Sequence, residues 1–228
     1  MKTINLKSGT TDKEGKHMGS RGSGSGRGVG KFGAGMENGS GSGANVLASH
    51  NLTEEIGKGG GSFANEIMNT RDSFEAEYGD AIKNISLQAA RFDDPSTLGA
   101  YGGNTLFMNE KYIKNAYLTT AMQSSAKSGF HPSIGNKTGA EAVASHELGH
   151  RLGEVAAEKA KISQKDIVAR AAKKTGIKTE NMAGHISKYA RENYHETIAE
   201  AYADVFCNGK KANRVSKAIV KEVKSILT

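Results

Sequence analysis

The sequence predicts an α+β fold, mostly helical with a small sheet beside a central helix. Three observations lead there. Apolar residues recur at helical spacing in most segments after residue 62, only two short stretches read as strands, and no motif repeats along the chain. With 228 residues, one compact domain with a real core fits beside a separate tail.

The elements follow in order. Residues 1–61 hold 17 of the 29 glycines, and RGSGSGRGVGKFGAGMENGSGSG offers almost no core-forming side chains, so 1–61 is expected to be a flexible arm and 62–228 the folded domain. Gly28, Gly30 and Gly33 spell G-x-G-x-x-G, but no strand precedes them and no helical pattern follows, so a phosphate cradle is not expected. From Ser62, the spacing of Phe63, Ile67, Phe74 and Tyr78 predicts a helix of about four turns. Ile82 to Ala90 reads as a strand, broken by Asp93-Asp94-Pro95, and Asn104 to Asn109 as a second strand after the Gly102-Gly103 turn. Helices are expected over 110–127, 139–153, 163–175, 194–207 and 211–227, with a short extended piece from Phe130 to Ile134.

Composition excludes several functions. No apolar run approaches a membrane span, and MKTINLKSGTTDKEGK lacks the apolar core of a signal peptide, so synthesis in the cytoplasm is expected. A single cysteine, Cys207, excludes an internal disulfide framework and a cysteine-based zinc site. Net charge is +7, yet the lysines are scattered along the sequence without interleaved aromatics, so no specific nucleic-acid partner is expected.

His146-Glu147-Leu148-Gly149-His150 carries the chemistry. Histidines at i and i+4 lie on one helix face and reach one Zn2+, while Glu147 is placed to serve as general base toward a metal-bound water. A third ligand is needed. A histidine at 156 would mark one known extension, but the residue is Ala156; a glutamate near 169 would mark another, but Ala169 and Arg170 stand there. The later segment Tyr194 to Phe206 sets Glu196, Glu200 and Asp204 at i, i+4, i+8 among Ile198, Tyr202 and Val205. Carboxylates in so apolar a helix are costly to bury unless they meet a cation or donors.

Together with Gly129-Phe-His-Pro132, Ser187-Lys-Tyr-Ala190 and Glu196-Thr-Ile-Ala-Glu-Ala-Tyr202, the motif resembles the zinc metallopeptidase domain of the anthrax lethal factor and Pro-Pro endopeptidase type, found in phage- and toxin-associated proteins. The resemblance covers roughly 62–228 and implies a zincin-like fold and hydrolysis of a protein or peptide substrate. It makes Glu196 the third ligand, Glu200 the group orienting a ligand imidazole, with Asp204 as its runner-up, and Tyr189 the oxyanion donor. A second register, with Glu200 as ligand and Asp204 behind it, would resemble thermolysin-like sites; Glu196 is preferred because it puts Tyr189 seven residues before the ligand. His131 is given a structural role only, and His17, His50 and His185 are expected to face solvent. Extended substrates in zincins lie along an edge strand, which points to Asn104, Thr105, Leu106 and Phe107. Asp12-Lys-Glu-Gly-Lys-His17 resembles a linker of phage minor head proteins, which implies virion components as partners and a virion or a target cell as destination. The competing reading is a structural module that keeps the zinc site without turnover.

Overall fold

A run of side-chain caps fixes where the helices begin. The computed structural model describes residues 45–113 and 117–228. The first helix, α1, runs Gly61–Tyr78, close to the span its apolar spacing predicts. Thr138 opens α3 (Gly139–Ala160) with a capping box, its hydroxyl taking the Glu141 N–H while the Glu141 carboxylate takes the Thr138 N–H. Ser163 and Asp166 repeat the device at α4 (Gln164–Thr175). Asn193 and Asn213 cap α6 (Tyr194–Asn208) and α7 (Arg214–Leu227) through their side-chain oxygens. Between α4 and α6 lies a one-turn helix, α5 (Thr179–Met182).

Four strands form one mixed sheet: β1 (Val46–Asn51), β2 (Ser86–Phe92), β3 (Gly99–Gly102) and β4 (Thr105–Asn109), in the order β1-β2-β4-β3. β1 pairs antiparallel with β2, β2 parallel with β4, and β3 antiparallel with β4. The strand expected from Ile82 begins only at Ser86, because Asn84 adopts a positive φ of 65° in a turn. The expected helix over 110–127 is a short turn at Glu110–Tyr112 and then α2 (Tyr117–Lys127). Phe130 to Ile134 forms no strand; its carbonyl at Phe130 instead accepts the Tyr189 N–H at 3.0 Å.

Two expectations need correcting. The folded domain begins before residue 62, unlike the expected arm of 1–61: β1 and the turn Leu52–Lys58 belong to it, with Leu52 fully buried. Truncating that side chain to Ala would cost about 2–5 kcal/mol, so the segment is not dispensable. Residues 1–44, with the glycine motif, His17 and the phage-like linker, lie outside the described residues. The second correction concerns β4. It lies inside the sheet, with Thr105, Leu106 and Phe107 paired to Ser86, Leu87 and Gln88 on one side and to Gly102, Tyr101 and Ala100 on the other. Its backbone is already used, so Asn104 to Phe107 cannot take an extended peptide; the outer strands are β1 and β3.

The helices enclose the main core. α3 crosses α6, and α1 and α7 pack around the pair; Leu148, Leu152, Ile198 and Ile219 are fully buried where they meet. Phe74, Tyr78, Tyr202 and Phe206 stack with ring centroids 5.4 to 6.0 Å apart, joining α1 to α6. A smaller cluster of Ala90, Phe92 and Ala100 covers the other sheet face. Among the described residues no helix is long and apolar enough to cross a membrane.

Candidate metal centre

The crossing of α3 and α6 builds the site, and a glycine permits it. A Cβ on Gly149 would lie 2.8 Å from Tyr202 Cβ and 2.9 Å from Ala199 Cα, so only glycine lets the two backbones approach this closely. Three ligand atoms converge as a result. His146 Nε2 lies 3.1 Å from His150 Nε2 and 3.1 Å from Glu196 Oε2, and His150 Nε2 lies 3.5 Å from Glu196 Oε2. Donors about 2.0 to 2.1 Å from a tetrahedral zinc are about 3.3 Å from one another, so this triangle has the size a zinc ion requires. Glu196 Oε2 is buried and accepts no aligned hydrogen bond, although His146 Nε2 is so near. His146, His150 and Glu196 form the one group among the described residues with this ligand geometry.

Glu200 is committed elsewhere. Its Oε1 accepts from His146 Nδ1 at 3.0 Å and from His131 Nδ1 at 3.2 Å, and its Oε2 accepts from Ser187 Oγ at 2.6 Å. The hydrogen bond on Nδ1 fixes the His146 tautomer and leaves Nε2 for a metal. With three donors already on it, Glu200 does not supply a metal ligand, and the geometry favours Glu196 over the alternative register. Asp204 has no part in either. Its carboxylate takes the Asn208 side-chain amide and the Asn213 N–H, both at 2.9 Å, and so joins the end of α6 to the start of α7.

The expectation of no role for His131 beyond structure also needs revising, since its imidazole holds the carboxylate that holds His146. Ser187 stands in the Ser187-Lys-Tyr-Ala190 segment, for which the sequence suggests no role at the serine itself. Its hydroxyl accepts the Ala190 N–H at 2.9 Å while donating to Glu200, which ties the turn Tyr189–Arg191 to His146 through that carboxylate. The tight Ser-x-x-Ala spacing was visible in the sequence, but its partner lies 13 residues away on another element. His185 is exposed as expected, whereas His50 is only partly so and pairs with Glu55 at 2.6 Å.

Tyr189 packs its ring against His131 and Phe130, with centroids 5.1 and 5.6 Å away, and faces His146 at 6.1 Å. Burial, reinforced by the carboxylates of Glu196, Glu147 and Glu200, raises its pKa and keeps the phenol protonated. Glu147 is fully buried, and neither carboxylate oxygen finds a hydrogen-bond partner among the described residues. A Cβ on Gly99 of β3 would lie 3.3 Å from Glu147 Cγ, so the outer strand runs directly beside this side chain.

Charge in the site is unbalanced. Burial pushes the Glu147 carboxyl up to about 8, opposed by His146 and supported by Glu196 and Glu200. Burial also disfavours the Glu196 anion, but His150 and His146 overcome it and hold its pKa below the usual carboxylate range. At Glu200 burial is likewise overcome, by His131 and His146, leaving about 2. For His146, burial favours the neutral ring, yet Glu196 and Glu200 push it up to about 10; burial lowers His150 against the pull of Glu196. No lysine or arginine pairs with these carboxylates among the described residues. Two fixed anions and a proton held on His146 describe a centre that a divalent cation would neutralise, displacing that proton.

No protein-family model, curated protein or solved structure significantly matches the chain.

Proposed function

We propose that the chain is a zinc-dependent endopeptidase with a zincin-like site. The observation that carries this reading is the triangle of His146 Nε2, His150 Nε2 and Glu196 Oε2 with Glu200 fixed on the far nitrogen of His146. Two imidazoles and one carboxylate suit zinc and leave a fourth position for water. Bound there, zinc supplies Lewis acidity and water with a pKa of about 7.

The remaining work falls to side chains of the chain itself. Glu147, with no competing hydrogen bond and a pKa near neutrality, takes a proton from water and returns it to the leaving amine. The neutral Tyr189 phenol donates to the oxyanion that develops at the scissile carbonyl. His131, Ser187 and Glu200 keep His146 in one tautomer. Strand β3, the outer strand beside Glu147, replaces β4 as the edge along which an extended peptide pairs.

One observation favours the second reading, a structural zinc module. His146, Glu147, His150 and Glu196 are each at most 2% exposed, as in closed structural sites. A closed site, however, has four protein ligands and no use for an unpartnered carboxyl. The discriminating experiment is elemental analysis with proteome-wide cleavage profiling of wild type, Glu147→Ala and Tyr189→Phe. The peptidase reading expects zinc in all three, cleavage abolished in Glu147→Ala, and a rate about a hundredfold lower in Tyr189→Phe. Zinc bound equally with no cleavage in any of them would establish the structural module.

A further inference from the structure

Charge is segregated in this molecule. Residues 45–160 hold fourteen acidic residues against ten Lys and Arg, whereas 161–228 hold fourteen Lys and Arg against seven acids. Four of those seven, Glu196, Glu200, Asp204 and Glu222, are buried, while all fourteen cations are exposed. Of the fourteen, only Lys174 and Lys224 have an ion-pair partner among the described residues, Glu222 and Glu77. The sequence disguises this face, because apart from the pairs Lys173-Lys174 and Lys210-Lys211 its cations lie singly along the chain. Folding collects them. On α7, Val215, Ile219 and Val223 turn into the core and leave Arg214, Lys217, Lys221 and Lys224 as a stripe at i, i+3, i+7, i+10, about 15 Å long. The turn Gly209–Lys211 extends the stripe, since Lys217 Nζ donates to Lys210 O at 3.0 Å.

We propose that this face, centred on Lys210, Lys211, Arg214, Lys217 and Lys221, binds the phosphate backbone of duplex nucleic acid without reading its sequence. A straight row of uncompensated cations on a helix matches the regular line of phosphates along a duplex, and releasing condensed counterions supplies the driving force. The rest of the surface narrows the partner to a duplex. The large exposed apolar side chains among the described residues, Leu47, Ile56 and Tyr117, all lie outside 161–228, so nothing on this face would insert into a bilayer. Nor does it present an exposed Phe, Tyr or Trp ring for stacking unpaired bases. The face lies on the outer side of α7 and is independent of the metal centre.

The test is fluorescence anisotropy of the full-length chain with a mixed-sequence duplex of about 30 base pairs, compared with a single strand and with phosphatidylserine vesicles. If about five phosphates are engaged, affinity falls several hundredfold between about 50 and about 200 mM salt. Replacing all five central cations by Glu is expected to abolish binding while zinc content and circular dichroism are kept. The control substitutions Lys83→Glu, Lys111→Glu and Lys127→Glu on the other half leave it intact. Undiminished duplex binding by the five-site variant would overturn the proposal by placing the contact elsewhere in the chain. Preference for vesicles or for single strands, or concentration-dependent self-association in place of duplex binding, would overturn it in favour of the corresponding partner.

Discussion

In the proposed zinc site Ser187 and Glu200 would act on the metal only through His146, and that separates their expected phenotypes from those of the ligands. Removing the Glu196 carboxylate removes one of three protein–metal bonds, so Glu196→Ala should lose zinc during dialysis. Glu200→Ala should weaken zinc by about 10- to 100-fold, and Ser187→Ala, which spares the other two donors to that carboxylate, by less. Chelator competition measures all three, and a silent Glu196→Ala beside a zinc-free Glu200→Ala would reverse the assignment. Glu147 has a different signature in the metal-free protein. Its folded pKa of about 8 lies above the ordinary 4.5, so its ionisation destabilises the fold progressively as pH rises from about 4.5 to 8. Glu147→Gln should therefore match wild type near pH 5 and exceed it at pH 8 by up to about 4 kcal/mol in urea denaturation. The residues of the motif were legible in the sequence because their spacing is fixed within one helix. Ser187 and the role of His131 were not, because each acts across elements that sequence distance does not reveal.

At the scale of elements, the contact between α3 and α6 depends on one missing side chain. Gly149→Ala would push a methyl into Tyr202 Cβ and the Ala199 backbone, spreading the helices that carry the two halves of the ligand set. A loss of about 1–3 kcal/mol in stability is expected, with a larger loss of zinc affinity; an unchanged melting temperature would show that the helices yield freely. The long helices were predictable, since α1 carries apolar periodicity in its own sequence and α3, α4, α6 and α7 carry side-chain caps as well. The sheet was less so. β3 is four residues of Gly-Ala-Tyr-Gly with too little pattern to register, and β1 has mostly exposed side chains next to a glycine-rich tract. With β3 unseen, β4 passed for an outer strand.

For the molecule as a whole, the candidate metal centre is also a determinant of acid stability. Glu200, at about 2 in the fold, and Glu196, also lowered, stabilise the folded state above their ordinary pKa, and this contribution is lost as pH falls from about 4.5 toward 2. Metal-free protein followed by circular dichroism should unfold across that window, and Glu200→Gln should flatten the transition. Zinc added at neutral pH should raise the melting temperature, because Glu196, 46 residues beyond His150 in sequence, joins the two histidines only in the folded chain.

The outer position of β1 has one more consequence. A strand on the rim of a sheet invites the same strand of another molecule to pair with it, the first step toward fibres. Here the register slips between Val46 and Ala48, and Ser49, His50 and Asn51 follow. A bulge of this kind twists the rim so that a second copy cannot align its amides along the full strand. The irregularity thus works as a guard against aggregation at a site where a smooth, apolar strand would be a hazard.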